Sequence, residues 1–138
     1  MNDNERLSAL LVEFYEKLSS WEHAVVRGSA LTLPQTHTLE ILGQHDSLRM
    51  KELAAKMGVT TGTLTVTVDR LEKRGLVERV PHETDRRSVL VTLTPAGREL
   101  CREHHALHLR LTGELAAALS EAEVESLVVI LHKLSQAF

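Results

Sequence analysis

The most regular patterning in the chain runs from Met50 to Leu93. MKELAAKM (50–57) sets Leu53, Ala54 and Met57 on one face at helical spacing. Gly58 follows, where a helix end calls for positive φ. Thr60 can cap a second helix with its hydroxyl. TGTLTVTVDRLEKRG (61–75) then carries Leu64, Val68 and Leu71 as an i, i+4, i+7 stripe and closes on Gly75. LVERV (76–80) and SVLVTL (88–93) are β-branched runs that read as strands, joined by a polar tip, PHETDRR. Residues 47–49 read as a very short strand pairing with this hairpin.

Both flanks predict helices. Over residues 5–26, Leu7, Leu10, Leu11, Phe14, Leu18, Trp21 and Val25 recur every three or four positions, before Gly28 and Ser29 break the pattern. Leu33-Pro34 opens a second helix whose apolar residues are Leu39, Ile41 and Leu42. Thr94-Pro95 is a hydroxyl cap followed by a first-turn proline, starting a helix that runs to about residue 119. Ser120 and Glu123 form a capping box for the last helix, which carries Val124, Leu127, Val128, Leu131 and Leu134. The predicted fold is mainly α with a small β wing, one domain over 1–138. A winged helix-turn-helix occupies about 47–93, and 1–30 with 95–138 form a helical dimerisation region. The flanking stripes are wider than one small module can cover. Leu7, Leu10 and Leu11 with Leu127, Leu131 and Leu134 are therefore expected to form a layer between two subunits, an intrachain bundle being the alternative.

Composition narrows the class. The chain has 138 residues, 43% apolar but only 3% aromatic, so leucine, valine and alanine must fill the core. No apolar run reaches the roughly 18–20 residues of a membrane span. MNDNERL is polar and acidic, unlike a signal peptide, and one cysteine, Cys101, fits a reducing compartment. The expectation is a cytoplasmic protein with no membrane partner. The net charge is −3, yet residues 47–87 hold nine Lys/Arg against six Asp/Glu, and the rest hold seven against thirteen. Positive charge is thus concentrated on the winged stretch, as duplex DNA requires. Thr60, Thr61, Thr63, Thr65 and Thr67 form an unusual hydroxyl row for a helix, since β-branching lowers helix propensity. Such hydroxyls can donate to phosphate oxygens or meet base edges without bulk. Thr60, Thr61, Thr63 and Thr65, with Arg70 on the same helix and Arg86 and Arg87 at the tip, are the candidate DNA-binding residues.

ETDRRSVLVTLTPAG (83–97) resembles the wing signature of the MarR family, Asp-Arg-Arg, an alternating strand, then Leu-Thr-x-x-Gly. LTLPQTHTLEIL, ELAAKMGVTTGTLTVTVDRLEKRGLVER and the chain length fit the same pattern. The resemblance implies a homodimeric transcriptional regulator, a repressor, bound to a pseudo-palindromic operator. It places the helix following Thr60 in the major groove and Arg87 in the minor groove, with Asp85 orienting the wing. A guanidinium gains there from the negative potential of a narrow groove. Val66 stands where relatives often carry a polar residue, and can meet a thymine methyl instead.

Eight histidines are many for 138 residues. Cys101, His104, His105 and His108 fall within an arc of roughly 100° on one helix. His104 and His108 are at i and i+4, a spacing that lets two imidazoles share one zinc ion, although such pairs are common on solvated helices. LTLPQTHTLEIL and REHHALH resemble segments of the family's zinc-responsive branch, the adhesin-competence repressor type. That resemblance implies zinc as corepressor on His37, His104 and His108, completed by Glu22 or His23. At the branch's second site Thr36 replaces a Glu and Val25 or Val26 falls near the Cys, so only Glu103 remains. The runner-up reading is a repressor released by a small phenolic or lipophilic ligand, with no metal. No His-Glu-x-x-His motif occurs and no general base is evident, so no enzyme is expected.

Overall fold

Side chains with short polar ends open most of the helices in the computed structural model, which describes residues 1–85 and 87–138. Asn2, Thr32 and Ser120 each accept a hydrogen bond from the backbone N–H three residues on. Glu5, Gln35 and Glu123 return it as capping boxes. These open α1 (Asp3–Arg27), α2 (Leu33–Gly43) and α6 (Glu121–Gln136). Thr60 caps α4 (Thr61–Lys73) through the Thr63 amide, and the Thr94 hydroxyl accepts from the Gly97 amide at 3.1 Å to open α5 (Pro95–Ala116). α3 (Met50–Met57) starts where the Arg49 amide donates to Glu52 at 3.1 Å. It ends at Gly58, whose φ of 69° is the left-handed turn that releases the chain into α4.

The strands are β1 (Leu48–Arg49), β2 (Val77–Pro81) and β3 (Val89–Leu93), in the antiparallel order β1-β3-β2. Val77 pairs with Leu93, Pro81 with Val89 and Leu48 with Val91, so the short strand does lie on the hairpin. The predicted elements are all present. The long helix ends at Ala116 rather than near 119, because Ala118 and Leu119 donate three residues back in a tightened last turn.

By their contacts the residues form two compact units, Met1–Cys101 and Arg102–Phe138. In the first, Leu53, Val68, Leu71 and Val91 are fully buried, joined by Leu39, Leu42, Leu48, Leu64, Val77 and Leu93. The three stripe residues of α4 all point into this core, as their spacing predicts. The core begins at Leu31 and takes in α2, so the winged module rests on more than the 47–93 stretch. Gly97 shows why the Leu-Thr-x-x-Gly spacing matters: a Cβ there would collide with the Leu76 carbonyl oxygen. The close approach is fixed by Thr94, whose amide donates to the Leu76 carbonyl and whose hydroxyl donates to the Gly75 carbonyl at 2.6 Å.

The second unit holds the remainder of α5 and all of α6. No residue of α6 is buried, although Leu127, Val128, Val129, Ile130, Leu131 and Leu134 are apolar. On α1 the buried residue is Val26; Leu7, Leu10, Leu11 and Phe14 are each half exposed. No helix among the described residues is long and apolar enough to cross a membrane.

Candidate nucleic-acid interface

α4 turns one face to the core and the opposite face to solvent. With Leu64, Val68 and Leu71 inward, the helical period puts Gly62, Val66, Asp69, Arg70 and Lys73 at the centre of the outer face, all exposed. Val66 is 51% exposed there, an apolar surface with Gly62 leaving space beside it. The threonines flank this strip, and their hydrogen bonds divide them. Thr60 accepts from the Thr63 amide at 3.2 Å and donates its proton to the Thr63 hydroxyl at 3.1 Å. Thr65 donates back to the Thr61 carbonyl at 2.7 Å. A hydroxyl has one proton, so Thr60 and Thr65 are committed within the helix. Thr61 and Thr63 keep theirs for an outside acceptor.

Arg79 of β2 is a residue that sequence reasoning passed over. Its guanidinium donates to Asp69 at 2.6 Å and to Glu72 at 3.0 Å, and its amide donates to Glu72 at 3.2 Å. One arginine thus ties the wing to α4 and neutralises two carboxylates on the helix that carries the outer face. The signal was available: strand alternation puts Arg79 on the side of buried Val77, where a charge needs a partner. Arg74 makes a further tie, donating to the Ala30 carbonyl at 2.6 Å.

At the wing tip, the Asp85 carboxylate accepts from the Arg87 amide at 3.0 Å and from the Ser88 hydroxyl at 3.2 Å. These bonds hold its carboxyl below the usual carboxylate range, and the charge of Arg49 adds to the effect. Asp85 thus bridges Arg87 and Ser88 within the turn. Arg87 is exposed, and its guanidinium has no hydrogen-bond partner among the described residues. Arg70 and Lys73 are likewise exposed and unpaired among the described residues. Arg86, also predicted to contact DNA, lies outside the described residues. His82, inside the same turn, was not singled out from the sequence, yet its ring takes part in the turn's hydrogen bonds.

The candidate metal ligands fall in both units. In the first, His37 Nε2 lies 3.7 Å from the Glu22 carboxylate. His23 turns back on its own helix, with Nδ1 2.8 Å from the Ser19 carbonyl oxygen. Glu22 is thus the α1 residue that faces His37. In the second, the Nε2 atoms of His104 and His108 are 3.1 Å apart and the rings meet edge to face. Tetrahedral zinc, with nitrogens at about 2.0–2.1 Å, separates two of them by roughly 3.3 Å, so the pair fits chelation of one ion. Cys101 is half-buried, its Sγ donating to the Leu39 carbonyl at 3.6 Å, and burial pushes its thiol pKa up. That is the environment of a structural rather than a reactive cysteine.

A family model for the MarR family matches residues 31–89. The uncharacterized HTH-type transcriptional regulator YfiV of Bacillus subtilis (strain 168) is 37% identical over 108 residues, covering 78% of this chain and 67% of that protein. Matches to the first curated relatives span between 46% and 67% of their lengths. Streptococcus pneumoniae FabT, solved in complex with DNA, superposes with a TM-score of 0.87 at 28% identity, over 97% of this chain and 96% of that one. A mutant of Escherichia coli MarR complexed with operator DNA is 30% identical with a TM-score of 0.73, over 94% and 93% of the two chains. With its core, wing and Leu-Thr-x-x-Gly closure in place, the chain belongs to the MarR family of transcriptional regulators.

Proposed function

We propose that the chain acts as a homodimeric, sequence-specific DNA-binding transcriptional regulator, a repressor. α4 enters the major groove of a pseudo-palindromic operator and Arg87 enters the adjacent minor groove. The observation that carries this reading is the set of donors whose protons have no acceptor among the described residues, the hydroxyls of Thr61 and Thr63 and the cationic ends of Arg70 and Lys73 on α4 and of Arg87 on the wing. A solvent-facing strip of donors around an apolar centre matches a groove that offers phosphate oxygens, base acceptors and thymine methyls. Relatives of the same fold have been solved with DNA.

We further propose zinc as the corepressor. Two pairs support it, each within its own unit: Glu22 with His37, and His104 with His108. The zinc-responsive resemblance assigns both pairs to one ion. Zinc shifts the regulator toward its operator-binding form only by binding that form more tightly. The test is operator selection followed by a mobility-shift titration of tag-free protein, with EDTA, with zinc, and at rising salt. The expected result is salt-dependent binding, weakened by Thr61→Ala with Thr63→Ala, and enhanced by zinc in the wild type but not in His108→Ala. Equal binding by the double threonine variant removes the major-groove reading. A His108→Ala protein that responds to zinc like the wild type removes the zinc reading alone, and leaves a ligand-released repressor as the better account.

A further inference from the structure

An imidazole is built into the wing turn. His82 Nδ1 lies 3.1 Å from the Asp85 amide nitrogen and 3.2 Å from both the amide nitrogen and the hydroxyl of Thr84. The backbone N–H of His82 donates across the turn to the Ser88 carbonyl at 3.1 Å. Backbone amides only donate, so Nδ1 must present its lone pair. The ring is neutral in this arrangement, with its proton on Nε2. On that side Arg49 Nη2 of β1 lies 3.3 Å away, and a guanidinium also only donates. The described charged groups facing the ring are thus Arg49 from β1, which opposes a second proton, and the Asp85 carboxylate from the turn, which favours one.

The bonds continue to the tip. The Asp85 amide is held by His82, and the Asp85 carboxylate holds the Arg87 amide. Protonation of the ring puts an N–H at Nδ1, aimed at two amide N–H groups, and both bonds are lost together.

We propose that neutral His82 is the positioning residue of the wing, and that its protonation releases the turn around Asp85 and lowers affinity for DNA. This rests on the reading of the wing as a DNA contact. Because the ordered wing uses the neutral form, its contribution is present with the ring unprotonated and is lost as the ring takes up a second proton on acidification. The Asp85 carboxyl, held below its usual range, stays ionised while the ring does so. The sign is diagnostic. Added positive charge by itself strengthens attraction to phosphates, so a loss of affinity on acidification has the opposite sign.

The experiment measures affinity for the selected operator by fluorescence anisotropy, from about pH 5.5 to 8 at fixed ionic strength. The protein is kept in EDTA so that metal loss plays no part. Wild type should lose about tenfold in affinity, the size of one pH unit of coupling. His82→Asn should bind like wild type at pH 8 with a flat profile, because an Asn oxygen accepts the same amide without titrating. His82→Ala should bind weakly at every pH. A His82→Asn protein with the wild-type slope, or His82→Ala with wild-type affinity at pH 8, overturns the proposal. Amide resonances of Thr84 and Asp85 in DNA-free wild type supply an independent readout. They should shift with the His82 ring titration, and if they do not, the proposal fails. If they do while no duplex binds, the positioning role stands and the DNA reading falls.

Discussion

Arg87 is exposed, and its backbone N–H is pinned to the Asp85 carboxylate at 3.0 Å while its guanidinium stays unpaired among the described residues. A pinned backbone with a free charged end lets a side chain enter a groove at low ordering cost. Arg87→Ala should therefore weaken operator binding about tenfold or more, as expected for a lost charge-assisted contact. It should also relax any preference for A·T pairs beneath the wing, where a narrow groove rewards arginine. Neither the fold nor the dimer should change, because Arg87 contributes nothing to the core. Operator titration against sequence variants, with circular dichroism as a control, reads all three effects. An unchanged sequence preference would remove Arg87 from the minor groove.

Arg79 acts between elements. It joins β2 to α4 through Asp69 and Glu72, and it is mostly covered, its side chain 26% exposed against 53% and 42% for the two acids. Partly solvated pairs of this kind contribute only about 0–1 kcal/mol each. Arg79→Met keeps the stem and should lower the melting temperature by only a few degrees, at roughly 2–8 °C per kcal/mol for domains bracketing this size. DNA affinity should fall further, since two unneutralised carboxylates then stand on the helix presented to phosphates. Calorimetry beside an operator titration separates the two. A loss of binding no larger than the loss of stability would reduce Arg79 to a structural tie. This bridge also shows where the sequence stops being legible. Leu64, Val68 and Leu71 announced the buried side of α4, and Gly58, Thr60 and Thr94 the boundaries of α3, α4 and α5, because period and capping are local. Arg79 with Asp69, and His82 with the Thr84 and Asp85 amides, depend on how separated or turning segments meet. The division of the threonines is of the same kind: which hydroxyls stay free is set by bond geometry, not residue type. That Glu22 and not His23 faces His37 is likewise a matter of rotamer, the His23 ring being directed at Ser19.

At the scale of the whole molecule, the exposed apolar surface is the main unanswered feature of a single chain. α6 has no buried residue, yet Val128, Ile130 and Leu131 are 63%, 51% and 53% exposed. On α1, Leu7, Leu10, Leu11 and Phe14 are 54%, 55%, 50% and 53% exposed. At about 25 cal/mol per Å² of apolar area, covering the rest of each such side chain contributes about 1–2 kcal/mol. Two helices of this kind supply enough for a stable subunit interface even after the cost of association. A twofold dimer also sets two copies of α4 against two half-sites, about 34 Å apart. Leu131→Glu places a charge on the exposed apolar face of α6. It should convert the dimer to monomer in sedimentation equilibrium while leaving the buried core around Val68 and Val91, and so the helical circular dichroism of the winged module, largely intact. Operator affinity at fixed protein concentration should then fall at least about a hundredfold, since each unread base pair costs roughly 1–3 kcal/mol and a whole half-site is lost. Binding to a single half-site should change little. A Leu131→Glu protein that stays dimeric would move the interface off this face of α6, and a monomer that binds the full operator like wild type would show that the two half-sites are not read together.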